Sequence, residues 1–207
     1  SGCGKSTILK IILRLIEPDE GQILSNGEDI LKYDQKKMDQ FRSKVGMVFQ
    51  AAALFDSLKI WENVGFALLE REFMPRDEVR KIASEKLKIV GLEGSEDLYP
   101  SELSGGMQKR AAIARAIAQD PKMLFYDEPT TGLDPITSTI IEKLMKSLQV
   151  DYGITTVIVT HQHSTIFNTA DIITMFHKGK IHVSATPEEI LNTKDDLVRN
   201  FIEGRVG

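Results

Sequence analysis

Three short apolar runs decide most of what this chain can fold into: Val45–Phe49 (V-G-M-V-F), Met123–Tyr126 (M-L-F-Y) and Thr155–Val159 (T-T-V-I-V). Each has the length and composition of a parallel strand buried on both faces. Helix-length stretches separate them, and parallel neighbours need such crossovers. The pattern predicts an α/β fold with a parallel sheet. Two tight turns are also predicted. Asn26-Gly27 sits inside I-L-S-N-G-E-D-I, and Lys178-Gly179 lies between Ile172–Phe176 and Ile181–Val183, both hairpin signals.

Between Trp61 and Ala118 the strand signal disappears. Helical patterns cover Trp61–Glu70, Asp77–Val90 and Gly106–Ala118. We expect one domain over 1–207 with an all-helical subdomain, 61–118, inserted in it. Asp134-Pro135 reads as N-cap and first residue of a helix running to Gln149. Thr186-Pro187-Glu188-Glu189 reads as a capping box opening a last helix. Internal repeats, low-complexity tracts and long linkers are absent from the sequence.

The composition narrows the class. Its 207 residues carry 26 Lys and Arg against 30 Asp and Glu, a net charge of -4. That balance argues against a dedicated nucleic-acid binder, which needs a basic face. The single cysteine, Cys3, excludes an intrachain disulfide framework and a cysteine-based zinc site; it reads as a small filler. No apolar run reaches the roughly 18 residues of a membrane span. The greasiest candidate, Ile8–Ile16, is broken by Lys10 and Arg14.

Three motifs carry chemistry. Gly2-Cys3-Gly4-Lys5-Ser6-Thr7, preceded by Ser1, has the form of the back half of a phosphate-binding loop leading into a helix. Its glycines let backbone N–H groups turn toward phosphate oxygens, and the helix adds its positive end. Lys5 would neutralise β- and γ-phosphates, and the Ser6 hydroxyl would bind Mg²⁺. Lys122–Glu128 is an apolar strand ending in two carboxylates: Asp127 is placed to hold Mg²⁺, and Glu128 to act as general base on an attacking water. Leu103-Ser104-Gly105-Gly106-Met107-Gln108 opens an Ala-rich helix with a second anion-binding N-terminus. One ATP has one γ-phosphate, already served by Lys5, so a second phosphate reader points to two chains sharing each nucleotide.

These motifs, with Gln50 after a strand, Gly132-Leu133-Asp134-Pro135 and Thr160-His161, occur in one order over essentially the whole chain. The sequence resembles the nucleotide-binding subunit of an ATP-binding cassette (ABC) transporter. The resemblance implies a P-loop NTPase core with a parallel sheet and a helical subdomain. It also implies that the chain opens inside the phosphate loop, with the N-terminal strands, the first loop glycine and the adenine-stacking aromatic missing. On that reading the 207 residues alone would fold or bind ATP poorly, and the parent protein would do both. By the same resemblance, Gln50 senses Mg²⁺ and the attacking water. Ser104, Gly105 and Gly106 grip the γ-phosphate of an ATP bound to a second copy. Asp134 touches the opposite phosphate loop, and His161 holds the γ-phosphate and the water. His163, His177 and His182 match no motif position, and Gln162 stands where an acidic residue is common.

The stretch after Gln50, Ala51–Val64, contains A-L-F-D-S-L and E-N-V. It is similar to the ATPases of Mce-type, Mla-like phospholipid transport systems. Asp97–Leu103, Asp134–Thr137 and Val198–Gly204 carry further phrases of that group. The resemblance implies ATP hydrolysis coupled to lipid transport, with ATP and Mg²⁺ as cofactors and a head-to-tail homodimer as the working form. The expected partners are a membrane permease and an MCE-domain lipid-binding protein, with no nucleic acid. The expected place is the cytoplasmic face of the inner membrane. A polar amino-acid or other small-solute importer shares the same engine and stands as the alternative. A non-transport ABC regulator is the third reading.

Overall fold

The computed structural model describes residues 4–71 and 73–204. Helix α1 (Lys5–Ile12) starts from Gly4, whose φ of 93° suits a residue without Cβ. Strands β1 (Leu24–Ser25) and β2 (Glu28–Asp29) form a small hairpin. Its turn residues Asn26 and Gly27 both have positive φ, as a type I′ turn demands. Helix α2 (Gln35–Arg42) follows, its N-cap carboxylate, Asp34, accepting from Lys37 N. Then comes β3 (Val45–Val48).

Three helices occupy the stretch where the strand signal vanishes: α3 (Ile60–Arg71), α4 (Arg76–Ile89) and α5 (Gly105–Ala116). They lie within two residues of the sequence-based ranges. Close packing of α3 on α4 requires Gly65, because a Cβ there would come 2.1 Å from Val79 Cγ1.

Beyond them run β4 (Met123–Asp127), α6 (Pro135–Tyr152) and β5 (Thr155–Val159). The order β3-β4-β5 is parallel throughout, with Val48 opposite Tyr126 and Tyr126 opposite Ile158. Central β4 explains the double cover. Phe125 packs with Leu9 of α1 and Leu13 at its C-cap. Leu124 and Tyr126 join a core with Ala111, Ile113, Ile141 and Met145 from α5 and α6. That same core takes in Val64, Val79 and Leu87, so the α3–α5 layer and the sheet share one apolar interior.

Helix α7 (His163–Thr169) leads to a separate antiparallel hairpin, β6 (Ile173–His177) and β7 (Lys180–Ala185), turned at Lys178-Gly179. An apolar cavity of about 370 Å³ lies along β5, α1, α7 and β6, lined by Ile8, Leu9, Val157 and Ile173 among others. The Thr186 capping box forms and opens α8 (Pro187–Leu191). It does not open the last helix: Asp195 caps a further one, α9 (Asp196–Ile202). Helix α6 also outruns its expected end at Gln149 and stops where Gly153 turns left-handed, at φ 64°. Among the described residues no helix is long and apolar enough to cross a membrane.

Candidate functional site

Parallel strands in register deliver the residues just past their carboxyl ends to one edge of the sheet. Asp127 is the last residue of β4 and Glu128 the next, while Gln50 and Thr160-His161 lie just past β3 and β5. Helix α1, seated on β4, points its N-terminus at the same edge, where the Ser6 hydroxyl donates to Asp127 Oδ1 at 2.7 Å. Among the described residues no side chain caps α1, so its first turn is an anion-facing end. Gly4, Lys5, Ser6 and Thr7 lie at this N-terminus. Ser1, Gly2 and Cys3 lie outside the described residues.

Glu128 is the most constrained member. Its φ of 50° is in the left-handed region, which costs a non-glycine residue about 1–3 kcal/mol and is found at functional sites. Its backbone N–H continues the sheet by donating to Val159 O at 2.8 Å. The carboxylate accepts from Thr160 Oγ1 at 3.0 Å and Thr131 Oγ1 at 3.1 Å through Oε2, and meets His161 Nδ1 at 2.7 Å through Oε1. Burial alone would raise its pKa; the bonds from His161 and Thr160 outweigh that and hold it below the ordinary glutamate value. An ionised carboxylate only accepts, so His161 donates to it through Nδ1–H. The His161 side chain is 62% exposed, the Glu128 side chain 11%. A base thus lies beneath an accessible imidazole.

Gln50 is exposed, and its carbonyl accepts from Lys109 Nζ. Ser104, Gly105 and Gly106 stand at a second place, the N-terminus of α5. There Ser104 Oγ caps Met107 N at 3.4 Å. A Cβ on Gly106 would come 2.4 Å from Thr137 Cγ2, so this turn abuts the start of α6. Asp134 caps that start, accepting from Ile136 N at 3.0 Å and Thr137 N at 2.9 Å. Two clusters result: Ser6 bonded to Asp127 and His161 bonded to Glu128 at the sheet edge, and Ser104 to Gly106 beside Asp134 where α5 and α6 begin. The sequence reading missed Thr131 and the Lys109 contact with Gln50. No local signal marked Lys109: α5 also carries Gln108, Arg110 and Arg115, and which of its cations turns inward is set by the elements packed around it.

The sequence model of the ABC transporter family matches residues 1–131. This chain belongs to the ABC transporter family. The matched stretch takes in the phosphate loop, Gln50, Ser104 to Gly106, Asp127 and Glu128; Asp134 and His161 lie past it. The cassette is similar to the intermembrane phospholipid transport system ATP-binding protein MlaF of Haemophilus influenzae, 39% identical over 99% of this chain and 77% of that protein. It is 38% identical to the probable ribonucleotide transport ATP-binding protein mkl of Mycobacterium leprae, over 99% of this chain and 59% of that one. A dimeric ATP-binding cassette, MJ0796, in a post-hydrolysis state bound to ADP and Pi, superposes with a TM-score of 0.79. It is 36% identical, over 89% of this chain and 81% of that one.

Proposed function

We propose that this cassette is the ATP-hydrolysing subunit of a phospholipid transporter and works as a pair of copies beneath a membrane permease. The observation that carries the hydrolytic reading is the Glu128 carboxylate, ionised, half-wrapped by Thr131 and Thr160 and covered by His161. It stands next to Asp127, which is bonded to the loop serine. ATP enters with its phosphates on the N-terminus of α1, where Gly4 and the first-turn backbone bind them and Lys5 balances their charge. Ser6 and Asp127 offer two hard oxygen ligands side by side, a donor set that fits Mg²⁺; held there, the ion would offset negative charge on the phosphates. Glu128 takes the proton of the attacking water. His161 holds the γ-phosphate through Nε2, and Gln50 orients the water from the neighbouring strand end.

Ser104, Gly105 and Gly106 serve the ATP of the second copy, with Asp134 touching the opposite phosphate loop. Their separation from the first cluster supports this, as does the dimeric state of the related cassette. Closure of the pair would push on the permease through Ala51–Trp61. The similarity to MlaF over nearly the whole chain favours phospholipid as cargo and an MCE-domain protein as a further partner. The cassette would then sit on the cytoplasmic face of the inner membrane, held by its permease. A ribonucleotide cargo is the second reading, favoured by the mycobacterial relative.

The test is purification of the tagged, full-length Glu128→Gln protein from its native membrane in mild detergent with Mg·ATP, followed by mass spectrometry. A permease, an MCE-domain protein and phospholipid support the reading. A different permease with a soluble solute-binding protein would leave the ATPase standing and remove the lipid.

A further inference from the structure

Helix α5 sets two cations, buried Lys109 and half-buried Arg115, on the loop that carries Gln50. Ala111, Ala112, Ile113 and Ala114 of this helix are wholly buried, and Lys109 keeps only 6% of its surface. An ammonium taken this far from water is stable only when bonded. Lys109 Nζ donates to the carbonyl oxygen of Gln50. One and a half turns later, Arg115 donates to Ala52 O at 2.7 Å and to Ala53 O at 2.6 Å. One helix thus holds three carbonyls within four residues.

The backbone so held is not relaxed. Ala52 and Ala53 have φ values of 59° and 52°, a region that residues with a Cβ avoid. Further along, fully buried Asn63 of α3 ties the segment again, donating to Phe55 O and Leu58 O, both at 3.0 Å, and accepting from Phe55 N at 2.7 Å. The Gln50–Leu58 segment is therefore fastened to the helical layer at each of these points, although its chain emerges from β3. Burial lowers the Lys109 pKa, and the fields of Asp127 and Glu128 act in the opposite sense.

We propose that Lys109 is a positioning residue for hydrolysis. With Arg115, it fixes the strained Gln50–Ala53 backbone and so sets where the Gln50 side chain meets the water and the metal. Because α5 begins with Ser104 to Gly106, a displacement of that end by a second nucleotide reaches Gln50 through one rigid helix. The inference rests on the role given to Gln50 above.

The experiment is a double-mutant cycle in the full-length protein: Lys109→Met and Gln50→Ala, singly and together, read by phosphate release and fluorescent-nucleotide binding. Lys109→Met is expected to lower kcat about tenfold, as misplacement of a catalytic group does, with nucleotide Kd within about twofold. In the Gln50→Ala background the same change is expected to alter kcat by less than about twofold, because the two residues act as one unit. A full tenfold effect in that background, or a parent-like kcat for Lys109→Met, overturns the proposal. Gln50→Ala hydrolysing at the parent rate removes the role of Gln50 instead. Should Lys109→Met not fold, Arg115→Met enters the same cycle with the same expected and overturning outcomes.

Discussion

Replacing Glu128 with glutamine removes the proposed base while changing almost no shape. The two Oε2 bonds come from hydroxyls, at 3.0 and 3.1 Å, and hydroxyls can accept as readily as they donate. An amide nitrogen placed there keeps both contacts, and the amide oxygen still receives His161 Nδ1. What is lost is the charge behind the His161 bond, of order 1 kcal/mol in stability. The rate consequence is far larger. A positioned general base contributes about 10²–10⁴-fold, roughly 3–5 kcal/mol of barrier at 1.36 kcal/mol per decade. Phosphate release by Glu128→Gln is therefore expected to fall by that factor, with nucleotide affinity close to the parent's and the ATP-bound pair persisting in size-exclusion chromatography. A variant that binds ATP normally and hydrolyses it at the parent rate would refute the assignment of the base.

Three further outcomes follow from the same geometry. Thr165, fully buried, donates to Glu142 Oε1 at 2.8 Å and shares a 2.7 Å hydroxyl contact with Thr130. Thr165→Val removes one bond from each partner, leaving Thr130 its contact with Gln162 and Glu142 its bond from Asn168, and is expected to cost about 1–3 kcal/mol in urea unfolding; a neutral result would contradict the network. The Tyr126 hydroxyl is buried without a partner among the described residues, and burial pushes its pKa up. Tyr126→Phe is thus expected to be neutral or stabilising by about 1 kcal/mol, and a loss of that size by the same assay would count against it. Acid titration gives the third. The Arg80 and Lys59 contacts hold Asp97 down at about 2, and Glu128 also lies below its ordinary value. Depressed carboxylates contribute stability that is complete above their unfolded pKa and lost as pH falls through the folded one. Hydrolysis should accordingly show no acid limb from Glu128 between pH 8 and about 5, and carboxyl-detected NMR should place Asp97 near 2.

Much of this was legible because short apolar runs fix strands and strands fix an edge. Thr155–Val159 was read to the residue, and β4 differs from its reading by Asp127 alone. Asp127 still pairs with Val159 across the sheet. Helix ends were legible where a cap acts locally, as at Asp134 and Thr186. Helix α9 escaped because its seven residues make about two turns, shorter than the window over which a period can be told. Tertiary facts were out of reach. That Lys109 is buried, that Glu128 is twisted left-handed, and that His161 lies over it all depend on which elements meet. Spacing along the chain carries none of that. The motifs and the family resemblance together named the candidate site residues; only the fold shows which of them touch.

The central claim joins hydrolysis at Glu128 to movement of a lipid. The most direct measurement places the intact permease–cassette complex in vesicles and follows a labelled phospholipid with and without Mg·ATP. The account predicts lipid movement that requires ATP and disappears in Glu128→Gln. Vigorous hydrolysis with no lipid movement, and stimulation by a ribonucleotide instead, would contradict it.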